Sequence, residues 1–214
     1  MHDPARHGDA FSLFTTAAAG GNPIAEAYLG YFHYMGDGVS QDDHVAAEWY
    51  RRSALHGFAD GQLRLGLMYF SGRSLAVAEQ SLPRDDQEGE KWIRRAAEGG
   101  SPPALDMVAR SLSSGVTHGV MTGKVPTQQD NDDFKKAMSL YRQAAAQNDR
   151  FAIESLCADR GFMVPVPKEI DKWCAIAHED PSYGTLNATS AEKRLTPETL
   201  LGDVNFHTLP PIPK

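Results

Sequence analysis

Between Asp42 and Gly57 the apolar and polar positions alternate with the period of an α-helix. Ala46, Trp49, Tyr50, Ser53 and Ala54 fall at i, i+3, i+4, i+7 and i+8, a single stripe. Asp42 and Asp43 stand at its start and Arg51 and Arg52 towards its end, the polarity that suits the helix dipole. The same order returns in Asp85, Asp86 and Glu88 followed by Arg94 and Arg95, and Asp85 with Glu88 has the spacing of a capping box. Gly57 and Gly100 occupy the place of a left-handed C-cap, and Asn148 takes it further on. A second kind of stripe runs through Ala25, Tyr28, Leu29 and Phe32, and less purely through Gly61, Arg64, Leu65 and Met68. Gly30 and Gly66 each follow its leucine. A glycine inside a helix costs about 1 kcal/mol relative to alanine, so its recurrence predicts a place where two helix backbones come close. Ala109 and Cys157, also small, hold that position later.

These stripes are copies of one unit. Trp49–Gly66 overlays Trp92–Ala109 at an offset of 43, Leu140–Cys157 at a further 48, and Leu13–Gly30 at 36 in the other direction. Four ungapped copies predict helix pairs near 22–35 with 42–56, 58–71 with 85–99, 101–114 with 131–147 and 150–160 with 168–178. A first helix near 8–20 precedes them, making about nine in all with no sheet. The stretch 115–130 is expected to be a long inserted loop. Three prolines near the end predict an extended tail.

The stretch "AYLGYFHYMGDGVSQDDHVAAEWYRRSALHG" strongly resembles the Sel-1-like repeat, a relative of the tetratricopeptide repeat. The residues that carry the likeness are Ala27 to Gly30, Gly36-Asp37-Gly38-Val39 and Ala47 to Ala54. The likeness extends over roughly residues 10 to 178, although the Gly-x-Gly-Val turn survives only in the first copy. It implies an all-α fold, a right-handed superhelical α-solenoid of helix-turn-helix repeats. Residues 1–180 would form an array of about four repeats beginning with an unpaired helix, and 181–214 an extended C-terminal tail. It also implies that Gly36 and Gly38 make a turn between helices. A dinucleotide loop would need a strand before them and a third glycine after.

Composition narrows the function. Asp and Glu total 28 against 21 Lys and Arg, a net charge of −7. That argues against a nucleic-acid or anionic-membrane surface, and no apolar run has the length of a membrane span. "MHDPARHGDA" lacks the apolar core of a secretory leader. A trimmed leader would leave the same start, so a bacterial periplasm and the cytoplasm both stay open. "GVMTGK", Gly119 to Lys124, approximates a phosphate loop but has three residues between its glycines and Val125 where Ser or Thr should follow. No histidine has metal-ligand spacing, "HED" at 178–180 reads as a solvated helix end, and no cofactor is expected. Asn187-Ala188-Thr189 matches a short glycosylation sequon. Some relatives of the repeat family carry disulfides between the helices of a repeat, which suggests Cys157 with Cys174; two small buried hydrophobes are the other reading.

By analogy with tetratricopeptide arrays, the first helix of each hairpin lines a concave groove. Its second ridge carries Tyr31 and Tyr34, then Leu63, Leu67 and Phe70, then Asp106 and Arg110, then Glu154. Tyr31, Tyr34, Phe70, Asp106, Arg110 and Glu154, with 115–130 at the rim, are the candidate binding residues. Packing between adjacent hairpins is the competing account of the ridge. The family resemblance implies a non-catalytic scaffold for one protein partner, such as a bacterial effector or toxin bound by an immunity protein, or an adaptor linked to secretion. The alternative is a hydrolase of β-lactamase or penicillin-binding type. Neither "SLYR" at Ser139 nor "SLCA" at Ser155 has the lysine that would activate its serine.

Overall fold

The computed structural model describes residues 4–71, 84–159, 171 and 173–175. These are helices and short turns, with no strand among the described residues. The helices are α1 (Pro4–Ala19), α2 (Pro23–Met35), α3 (Asp43–Leu55), α4 (Ala59–Ser71), α5 (Asp86–Glu98), α6 (Pro102–Met121), α7 (Gln128–Ala145) and α8 (Arg150–Asp159). Residues 171 and 173–175 are helical as well. The expected tail 181–214, the sequon and "HED" lie outside the described residues.

Local chemistry sets the helix ends. Asn22 caps α2 by accepting from the amides of Ile24 and Ala25, and Pro23 fixes the first turn. Asp42 and Asp85 cap α3 and α5 in the same way. Gly21, Gly57, Gly100 and Asn148, one per copy, all have positive φ, so the left-handed turn anticipated at 57, 100 and 148 is present. Gly36 and Gly38 also have positive φ and shape the turn from α2 to α3. The Gly36 amide bonds back within α2, and the Asp42 amide donates to the His33 carbonyl at 2.9 Å.

The chain divides into two compact units between Gly99 and Gly100. In the first, α1 packs on α2, α2 on α3, α3 on α4 and α4 on α5. Its interior holds Leu29, Tyr50, Leu65, Met68, Trp92 and Ile93. In the second, α6 and α7 form a hairpin and α8 packs against both. Leu105, Met138, Tyr141, Ile153 and Leu156 fill that interior. A leucine buried this fully contributes about 1.5–3 kcal/mol.

The helix contacts at the small residues differ between the two glycines. At Gly66 a Cβ would stand 2.8 Å from Ile93 Cγ1 and 2.9 Å from the carbonyl oxygen of Gly89 on α5. Gly89 meets the Gly66 carbonyl at the same 2.9 Å, so α4 and α5 touch backbone to backbone. At Gly30 the obstacle is instead the ring of Tyr50, 2.7 Å away. The small residue there admits an aromatic from α3 rather than a second backbone.

The long loop at 115–130 is not what forms. α6 continues to Met121 and α7 starts at Gln128, leaving a six-residue connection. Neither Gly115 nor Gly119 is at positive φ, and both sit within the helix. The connection is held by a capping box in which Thr127 and Asp130 satisfy each other.

Candidate functional site

The six candidate binding residues separate by unit, Tyr31, Tyr34 and Phe70 in the first and Asp106, Arg110 and Glu154 in the second. Each set is built within its own unit.

In the first unit the tyrosines surround an arginine. Arg64 on α4 is 1% exposed. Its guanidinium lies 5.9 Å from the ring centroids of both Tyr31 and Tyr50, within cation–π reach. Asp60, one turn before it, has its carboxyl raised by burial against the pull of Arg64. Burial also pushes the phenols of Tyr28 and Tyr50 upward, with Arg64 acting against the rise in each. Tyr28 stacks on Phe14 of α1 at 4.3 Å. Tyr34 is 5% exposed, and Leu63 and Leu67 are buried as well. An exposed anchor at Tyr34 is therefore not what the fold presents. Tyr31 and Phe70 remain partly exposed, the Phe70 ring also lying close to the position that a side chain at Gly89 would take.

The second unit brings its three candidates to the packing of α6 and α8. Asp106 is buried and accepts from Arg110 at 2.6 Å and from the Ser155 hydroxyl at 3.4 Å. Glu154 pairs with Arg150 at 3.1 Å along α8. Asp149 accepts from the Ala152 amide at 2.8 Å and so caps the helix. Burial raises the Asp106 carboxyl to about 6, with Arg110 opposing and the Asp149 charge adding. Asp149 is raised for the same first reason.

A third group escaped the sequence reading. Glu26 on α2 is fully buried, and its partners are Arg52 of α3 at 3.1 Å and His56, the residue that caps the end of α3, at 2.7 Å. The available signal was a glutamate inside the apolar run "IAEAYLG". The reading had placed Arg64 on a core stripe, but not with the tyrosines that hold it.

The remaining motifs carry no site. Gly119 is helical, and Lys124 pairs with Asp130 at 3.3 Å, so "GVMTGK" forms no phosphate loop. No grouping of three or more His, Cys, Asp or Glu fit for a metal ion occurs among the described residues. None of the described helices is long and apolar enough to cross a membrane. Cys157 and Cys174 are joined by a disulfide, with Cα atoms 5.5 Å apart.

The hairpins, their left-handed turns and their small-residue contacts define the class, an all-α tandem helix-hairpin protein of the solenoid type. The Sel1 repeat is matched at residues 23–58, 59–101 and 119–149, together more than half of the chain. The chain belongs to the Sel1 repeat family, whose members generally act as protein-interaction scaffolds. The crystal structure of a Sel1 repeat protein from Oxalobacter formigenes is similar, with a TM-score of 0.57 and 28% identity, over 73% of this chain and 55% of that one. A protective antigen of uropathogenic Escherichia coli displaying an SLR fold gives a TM-score of 0.47 at 21% identity, over 83% of this chain and 42% of that one. The chitin synthase regulator SKT5 of Saccharomyces cerevisiae is 27% identical over 182 residues, 85% of this chain. The chain spans only 23% of that regulator's length.

Proposed function

We propose that this protein is a non-catalytic scaffold that binds one protein partner through side chains on the first helices of its hairpins. The observation that carries this reading is the contrast within one ridge. Tyr34, Leu63 and Leu67 are buried, while Tyr31 and Phe70 stay partly open on α2 and α4. Half-open aromatics are efficient anchors because they bury a large area at little cost in side-chain entropy. Within the second unit, Arg110 and Glu154, also half-buried, are the charged candidates.

The finer role we propose is inhibition or regulation of the partner, as an immunity protein for a bacterial effector or toxin, or as a secretion-linked adaptor. The net charge of −7 suits a basic partner surface, and one relative is named as the regulator of an enzyme. The disulfide suits an oxidising compartment. The test is calorimetry against a partner that co-purifies in stoichiometric amount. Tyr31→Ala and Phe70→Ala should each weaken binding by about 1–3 kcal/mol, whereas Tyr34→Ala should chiefly lower the melting temperature. A variant lacking Tyr31, Phe70, Arg110 and Glu154 side chains that binds as tightly as the parent would place the surface elsewhere. Turnover of a β-lactam reporter would favour the hydrolase instead.

A further inference from the structure

We propose that Arg95, laid over Trp92 on α5, is an anchor for a glutamate or aspartate side chain from an acidic segment of a protein partner. The contact lies on the second helices of the hairpins, apart from the residues assigned above to α2 and α4, and it rests on the scaffold reading that it extends. The first unit holds two copies of one arrangement. In the earlier copy the guanidinium carbon of Arg52 lies 4.5 Å from the ring centroid of Trp49. In the later copy Arg95 lies over Trp92 at 4.7 Å. Both pairs are spaced i, i+3, and the offset of 43 that aligns the copies carries one onto the other. A guanidinium stacked on an indole keeps its N–H edge for hydrogen bonding, and the stacking holds it in place.

The copies differ in what meets that edge. Arg52 is answered by Glu26 at 3.1 Å, and His56 meets the same carboxylate at 2.7 Å. The offsets of 36 and 43 set Gln62 where the earlier copy has Glu26, and Gly99 where it has His56. Gln62 brings no charge, and its amide nitrogen donates to the Ala54 carbonyl at 3.2 Å. Gly99 brings no side chain, and a Cβ there would stand 3.0 Å from that of Ala59. The acids of α5 are no substitute. Glu88 pairs with Lys91 and Glu90 with Arg94, and among the described residues no carboxylate pairs with Arg95. Arg95 is exposed, and Trp92 beneath it is 8% exposed.

The earlier copy names the ligand, since there the same stacked guanidinium takes a carboxylate. A carboxylate accepts two parallel N–H bonds from a guanidinium, and Trp and Arg are the residue types that carry binding energy at interface centres. A phosphate could use the same edge, but its denser charge is opposed more strongly by a chain of net charge −7.

The probe is an acetylated hexaglutamate peptide, titrated into the full chain at low salt. The indole N–H resonances of Trp92 and Trp49 and the Nε–H resonance of Arg95 report binding. Trp92 and Arg95 should shift saturably and Trp49 should not. Arg95→Gln should weaken binding by roughly tenfold or more. Gln62→Glu should do the same with Arg95 and Trp92 still in place, because it gives the later copy a carboxylate of its own. If Gln62→Glu does not fold, the exposed Arg95→Gln remains the test. Arg94→Gln, which removes a charge already paired, should change binding less than about twofold. A protein carrying Tyr31→Ala and Phe70→Ala should bind the peptide as the parent does, which keeps a failure of this anchor distinct from a failure of the first-helix surface. Unmoved Trp92 and Arg95 resonances, undiminished binding in Arg95→Gln or in folded Gln62→Glu, or an equal loss in Arg94→Gln would overturn the proposal. So would loss of binding in the Tyr31 and Phe70 variant, or inorganic phosphate moving the same resonances at lower concentration than the peptide.

Discussion

Two alanine substitutions in mid-helix glycines should act in opposite directions. Alanine gains about 1 kcal/mol over glycine from helix propensity at either site. At Gly115 nothing lies within 4 Å of the added carbon, so Gly115→Ala should be stabilising by about that amount. At Gly66 the same carbon would meet the Gly89 carbonyl oxygen at 2.9 Å and the Ile93 nitrogen at 3.2 Å. Both are backbone atoms and have no rotamer to escape into, so α4 and α5 must part. Overpacking of this kind costs about 1–3 kcal/mol, and rigid obstacles place the site towards the upper end. After the propensity gain, Gly66→Ala should be destabilising by about 1–2 kcal/mol. With about 2–4 °C per kcal/mol in a chain of this size, one variant should melt several degrees lower and the other a few degrees higher. Gly89→Ala should resemble Gly66→Ala, since its carbon meets the Gly66 carbonyl at 2.9 Å. The double variant should cost less than the sum, because one separation of the helices relieves both contacts. Calorimetric melting of all four proteins decides the matter. A Gly66→Ala protein that melts higher than the parent would show that α4 and α5 do not touch backbone to backbone.

Thiol titration of the unfolded, unreduced protein should find no free thiol, and Cys157→Ser with Cys174→Ser should cost about 3 kcal/mol, the loop-closure expectation for their separation of 17 residues. Around Glu26 the two sides should be unequal when followed by urea unfolding. Removing Arg52 and His56 together leaves a fully buried carboxylate without partners and should cost about 3–5 kcal/mol, whereas Glu26→Gln leaves two half-exposed groups that water can serve and should cost less. Equal losses would mean that Glu26 is solvated. Gly100→Ala should lose about 1 kcal/mol through its positive φ despite the open space around it, a shift visible in the same urea curves.

The helices, their order and their turns were legible because each is specified by neighbours in sequence, such as Asn22 before Pro23 or Gly57 after an arginine-rich last turn. The pairing of Gly66 with Gly89 was half legible. The recurrent glycine marked a contact, but its partner is 23 positions away and lies outside the aligned stretch. The extension of α6 was hidden because the repeat pattern ends near 114, and the start of α7 is marked by the Thr127–Asp130 cap. Glu26 with Arg52 and His56 was illegible as a group, since only the folded hairpin puts residues 26 and 56 together.

The burial of Asp106 has a cause in the repeat itself, and it points to where the chain departs from its own pattern. The offsets that align the copies set Ala27, Leu63, Asp106 and Glu154 in one register position, and Tyr31, Leu67 and Arg110 in another. In the first three copies the former position is interior, whereas Glu154 in the last is only partly buried. Ala27 and Leu63 are 1% and 2% exposed, and Asp106, in the same place, is 5%. The ridge that carries Asp106 also carries Leu63, and of the two accounts of that ridge, binding and packing, the buried leucine one repeat earlier favours packing at this position. The same comparison yields the consequence. An interior position filled by a carboxyl must raise that carboxyl, recruit an arginine or do both, and Asp106 does both. Asp106→Leu, which restores the residue of the preceding copy, should therefore stabilise the second unit at pH 7 by up to about 3 kcal/mol, the equivalent of a shift from 3.8 to about 6, less the loss of the Arg110 pair. It should change little at pH 4, where the carboxyl is already neutral. A substitution equally stabilising at both pH values would show that ionisation of Asp106 costs the fold nothing. The polar residues that interrupt an apolar register would then have to be explained by packing alone.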